Sequence, residues 1–102
     1  MMIVLFDDDR EWYIQGGVFE DIVDSAPAGM LQDDDLLMHL RPARAMGLLD
    51  LRRREPDRAE RIVAALTEGV IERMRKIDQS DNKLVEFYKG LLKIAARRDA
   101  ND

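Results

Sequence analysis

The chain has no cysteine and only one histidine, His39. Without thiols there is no disulfide framework, no thiolate metal site and no cysteine nucleophile. Small secreted domains are commonly stapled by disulfides, so the expected setting is the reducing cytoplasm. Long apolar runs are also missing, and none approaches the roughly 18 residues that a membrane span needs. The opening Met1 to Phe6 is apolar, but it has no basic residues ahead of it and runs straight into Asp7-Asp8-Asp9, which fits neither a signal peptide nor an anchor. Hydroxyl nucleophiles are scarce. Ser25, Thr67 and Ser80 are the only serines and threonines, and none sits in a recognisable motif with His39, so no activated nucleophile is indicated. Gly16-Gly17 is followed by no Lys-Ser or Lys-Thr and lies among acids, which excludes a phosphate loop.

What is present suffices for one domain over residues 1–102. The 102 residues are 46 % hydrophobic, enough for a single core, though a domain near this size buries only about 60 to 70 % of its unfolded surface. Self-association is therefore an option. The net charge of -5 conceals an asymmetry. Residues 1–35 hold ten acidic side chains and one basic, Arg10, for a net -9, whereas residues 36–102 hold eleven acidic and fifteen basic, for +4.

The order of residue types predicts an α+β fold, mainly helical, with an N-terminal β-hairpin on a bundle of about four helices. Residues 2–6 and Trp12-Tyr13-Ile14 favour strands and flank the turn-rich Asp7 to Arg10, which predicts a hairpin over about residues 2–15. Such a hairpin is marginal alone and must lie on helices or pair with another chain. Gly16-Gly17 reads as a break, after which Val18, Phe19, Ile22 and Val23 recur at helical spacing, giving a helix near 18–24. Asp33-Asp34-Asp35 offers carboxylates to a helix start ahead of Leu36, Leu37 and Leu40, so a further helix is expected over 33–50, ended or kinked by Pro42.

Pro56 suits a first helical position, and Ile62, Val63, Leu66, Val70, Met74 and Ile77 form a sustained stripe that predicts a helix over 57–78. Ser80 or Asp81 caps a last helix over 81–97 carrying Leu84, Phe87, Tyr88, Leu91 and Ile94, the two helices forming an antiparallel pair. The expected core includes Ile62, Leu66, Val70, Met74, Leu84, Phe87, Leu91 and Ile94. Gly69 and Gly90 each cost roughly 1 kcal/mol against Ala within a helix, which close helix crossing would offset. The tail 98–102 is polar enough to fray.

Three clusters invite a chemical reading. Asp7-Asp8-Asp9 after a first strand is reminiscent of the cation pocket of receiver domains. However, the alternating strands and helices, the later phosphoacceptor and the lysine of that fold are lacking, and two carboxylates on a turn make an incomplete cation site. A solvated turn accounts for them. His39 has no second histidine to share a metal, and no metal or cofactor is implied. Arg52-Arg53-Arg54, with Arg41, Arg44, Arg58 and Arg61, forms a basic region, but Asp50, Glu55, Asp57 and Glu60 dilute residues 41–61 to a net +3. That balance fits pairing with the acidic third or a solvated helix end better than a nucleic-acid face.

These features point away from an enzyme and towards a small acidic protein-binding module, of an inhibitor or immunity type that blocks a basic nucleic-acid-handling protein. The expected contact surface is Asp7, Asp8, Asp9, Glu11, Glu20, Asp21 and Asp24. Trp12 or Tyr13 would be its anchor, since the two alternate faces in a strand. A homo-oligomer is a further expectation. The alternative is a nucleic-acid-associated regulator using Arg41 to Arg61.

Overall fold

Strand alternation divides the first residues between two environments. In the computed structural model, which describes residues 1–96, β1 (Met2–Leu5) turns Met2 and Val4 into the core and leaves Ile3 and Leu5 half-buried on the opposite face. It pairs antiparallel with β2 (Glu11–Ile14), Met2 opposite Ile14 and Leu5 opposite Glu11, so the predicted hairpin is present. Trp12 and Ile14 face inward beside Met2 and Val4. The turn closes on a bond from Phe6 N–H to the Arg10 carbonyl.

Helix α1 (Gly16–Ser25) begins two residues before the expected boundary, because Gly16 and Gly17 enter the helix instead of breaking it. At Gly16 the absent side chain has a use. A Cβ there would overlap the guanidinium of Arg44. α1 buries Phe19 and Ile22 and lies across α3 (Pro56–Lys76). At the crossing Gly69 sits so close to the backbone carbonyl of Ile22 that no Cβ would fit, so its helix cost is offset as expected. Gly90, by contrast, faces open space and serves no crossing.

The expected helix over 33–50 requires correction. The chain turns helical at Asp33, passes through a π-helical turn (Asp35–Leu40), continues as α2 (Arg41–Met46) and stops. Pro42 has no N–H to donate, and its ring crowds the carbonyl four residues back; a widened turn, closed by Arg41 N–H to the Leu36 carbonyl, removes that conflict without breaking the helix. Gly47 then adopts φ +79°, the left-handed conformation that ends helices. Leu48–Asp50 becomes β3, parallel to β1, with Leu48 level with Ile3 and Asp50 with Leu5. The sheet order is β2-β1-β3.

A short 3-10 turn (Leu51–Arg53) leads to α3, and α4 (Asn82–Ala96) completes the antiparallel pair. Ile62, Leu66, Val70 and Leu91 are buried as expected, whereas Met74, Leu84 and Ile94 are only half-buried. Phe87 is corrected to an exposed position. The buried residues of α4 are Tyr88, Leu91 and Ala95, all on the apolar stripe read from the sequence, and the Leu91 carbonyl also receives the Trp12 indole N–H at 3.1 Å. The proposed end of the last helix at residue 97 and the frayed tail 98–102 lie outside the described residues.

Candidate protein interface

The hairpin turn is held by its own charges. Asp7 accepts from Asp9 N–H at 2.9 Å and from Arg10 Nε at 2.7 Å. Burial works to raise its pKa, but these bonds and the Arg10 charge hold it below the ordinary value. Arg10 is buried against the ring of Phe6, and its Nη1 donates to the Ala95 carbonyl at 2.8 Å. This bond ties the hairpin turn to the backbone of α4. The only basic residue of the acidic third is therefore a clamp between hairpin and α4. Its isolation among acids was the one signal that could have found it.

Beyond the turn, Asp8 accepts from Arg52 Nη1 at 2.9 Å, while Asp9 and Glu11 are exposed and make no ion pair among the described residues. Of the two candidate anchors, Trp12 is corrected to a core residue: it is fully buried, packed edge-on against Phe6 at 4.9 Å, with its indole N–H satisfied. Tyr13 is the outward one, 56 % exposed. The Glu11 carboxylate, two residues back on the same face of the strand, is the main reason its phenol is raised above the usual value.

Strand register places Tyr13 in a row with Ile3 and Leu48 on the sheet face that carries no helix, with exposed Met1 and Met46 flanking the start of β1 and of β3. The next row is Glu11, Leu5 and Asp50. Asp50 is buried beneath Arg52, at 2.8 and 2.9 Å, and Arg53, at 3.4 Å. The Arg52 hydrogen bonds hold its pKa down at about 2, against the opposing effect of burial.

The α1 acids stand elsewhere. Glu20 meets Arg44 at 3.2 Å and Asp21 meets Arg73 at 3.8 Å. Glu20 and Asp24 line an open groove of about 690 Å³ between α1 and α2, floored by Phe19, Val23, Leu36 and Leu40 and walled opposite by Arg41 and Arg44. The predicted surface thus falls into a hairpin group (Asp7, Asp8, Asp9, Glu11, Tyr13), a helix group (Glu20, Asp21, Asp24) and one core residue, Trp12.

Asp35, expected as one of the carboxylates at a helix start, is fully buried. It accepts from the N–H of Gln32, three residues back, at 2.9 Å, and its carboxylate also accepts from Arg61 Nε (2.8 Å), Arg61 Nη2 (2.9 Å) and Arg58 Nε (3.1 Å). The Arg61 bonds above all hold it ionised far below the usual carboxylate range. His39, half-buried one turn on, is pushed down by burial and by the Arg58 and Arg54 charges. Of the basic region, then, Arg44, Arg52, Arg53, Arg58 and Arg61 are engaged with acids of the same chain, which leaves Arg41 and Arg54 without an ion pair among the described residues.

Among the described residues no group of three or more acids and histidines is placed to hold a metal ion, and no helix is long and apolar enough to cross a membrane. The chain matches no family model, no curated protein and no solved structure.

Proposed function

We propose that this chain is a non-catalytic, cytoplasmic protein-binding module of the inhibitor or immunity kind, which meets a basic protein through its open sheet face and the acidic turn beside it. The supporting observation is the row Tyr13, Ile3 and Leu48, an apolar strip without a helix over it, with exposed Glu11 one row away and exposed Asp9 in the hairpin turn beyond, neither in an ion pair among the described residues. Aromatic anchors supply lasting affinity, whereas rim carboxylates steer a basic partner and reject acidic ones. The engagement of Arg44, Arg52, Arg58 and Arg61 with internal acids weighs against the nucleic-acid reading, because those guanidiniums are not available to phosphates without breaking the fold's own pairs.

The test is capture of a stoichiometric partner from native extract by the purified chain, followed by kinetics with two variants. Asp9→Asn with Glu11→Gln slows association and flattens its salt dependence, and Tyr13→Ala speeds dissociation. If no partner is retained at low or moderate salt, or if both variants bind unchanged, the reading fails. A salt-sensitive shift of DNA or RNA at about 50 mM salt would replace it with the nucleic-acid alternative.

A further inference from the structure

The open sheet face has a property that a generic sticky strip would not have: its two edges are complementary to each other. Sheet order β2-β1-β3 puts Tyr13 and Glu11 on one edge and Leu48 and Asp50 on the other, with Ile3 and Leu5 between them. Tyr13, Ile3 and Leu48 share one level along the strands, and Glu11, Leu5 and Asp50 share the next. A two-fold axis lying in this face and parallel to β1 keeps the levels and exchanges the edges. It sets Tyr13 of one copy on Leu48 of the other, and Ile3 and Leu5 each on its own counterpart. It also sets Glu11 against the corner where Asp50 is paired with Arg52 and Arg53.

The charges suit this arrangement. Glu11 is exposed and has no ion pair among the described residues. Arg53 has an 81 % exposed side chain and only its Nε, at 3.4 Å, towards Asp50, so its Nη groups remain able to donate across the interface. The other two-fold axis in the plane, perpendicular to the strands, keeps each edge over the same edge of the second copy, so Glu11 never reaches the edge that carries Arg53. Homo-oligomers are mostly two-fold, and sheets stack face to face with strands nearly aligned.

We propose that the free chain is a two-fold dimer in which the open sheet faces stack with β1 over β1, Tyr13 of each copy on Leu48 of the other and Glu11 facing Arg53. The occupant of the face in the absence of a basic partner is a second copy of this chain. A three-stranded face is small, so the dimer dissociates readily and yields the face to a tighter partner. The inference rests on the reading of this face as the contact surface, but it needs no partner for its test.

Sedimentation velocity on the purified full chain, from micromolar to near-millimolar concentration, should show the mass rising from 11.8 kDa towards twice that value. Leu48→Glu should hold it at one chain while far-ultraviolet dichroism and the urea midpoint report an intact fold. Glu11→Arg and Arg53→Glu should each weaken the dimer roughly tenfold or more, since each opposes like charges, and the two together should restore it. A chain that stays monomeric at every concentration overturns the dimer, as does a dimer indifferent to Leu48→Glu or a double charge reversal that fails to rescue. A monomer that still captures a basic partner through Tyr13 refutes this inference alone, whereas a dimer that captures nothing refutes only the basic-partner reading.

Discussion

Replacing Asp35 by Asn tests the largest electrostatic commitment in the fold. The substitution keeps the volume but removes the charge, and it turns one acceptor oxygen into a donor facing an N–H of Arg61 and one of either Arg58 or Gln32, so two of the four hydrogen bonds to the carboxylate are lost. Breaking a wholly buried ion pair costs about 3–5 kcal/mol. Here the two arginines are 24 % and 28 % exposed and keep part of their hydration, which lowers the expectation to about 2–4 kcal/mol. Against a total of roughly 5–15 kcal/mol for a domain of this size, that is a large share, and it corresponds to a fall in Tm of roughly 10–25 °C. Urea unfolding followed by dichroism measures it, with the slope unchanged so that the midpoint reports stability. A loss below about 1 kcal/mol would show that the Asp35 carboxylate contributes little more than a surface pair and would refute the reasoning.

The same carboxylate predicts acid sensitivity: its folded pKa lies below its unfolded value, so its contribution is complete above about pH 4 and declines as pH falls below that. Asp50, held at about 2, adds to the decline in the same direction, and the Asp35→Asn variant should lose less stability than the parent between about pH 4 and pH 2. Gly69→Ala should destabilise by about 1–3 kcal/mol because its Cβ meets the Ile22 carbonyl, whereas Gly90→Ala, in open space, should stabilise by up to about 1 kcal/mol; equal effects in thermal melts would refute the crossing. Trp12→Phe should cost about 1–3 kcal/mol by leaving the Leu91 carbonyl without its indole donor, and an unchanged urea midpoint would show that the bond is immaterial.

Elements with a strong local period were legible. The stripe Ile62, Leu66, Val70 fixes the buried face of α3 without reference to anything else, and the alternation of Met2, Val4, Trp12 and Ile14 fixes the hairpin's inner face. β3 was not legible, because Leu48-Leu49-Asp50 is three residues long and fits the end of a helix as well as a strand; pairing with β1, distant in sequence, decides it. The candidate site followed the same division. That one of Trp12 and Tyr13 faces inward follows from alternation, but which one does so depends on where α4 lies.

What the sequence determined by itself is the set of local preferences: a mainly helical chain, a hairpin before it, two long amphipathic helices and an acidic first third that needs cations. What only the tertiary structure decided is which cation each acid meets. Asp8 with Arg52, Asp35 with Arg58 and Arg61, and Glu20 with Arg44 are pairs between residues far apart in the chain, and no spacing rule encodes them. Charge is a local property of a residue, whereas neutralisation depends on distance and burial, and both are fixed only when the sheet and helices close on one another. Thus Asp35, one of ten acids in its third, is the one buried outright, while Asp9 and Glu11 stay at the surface.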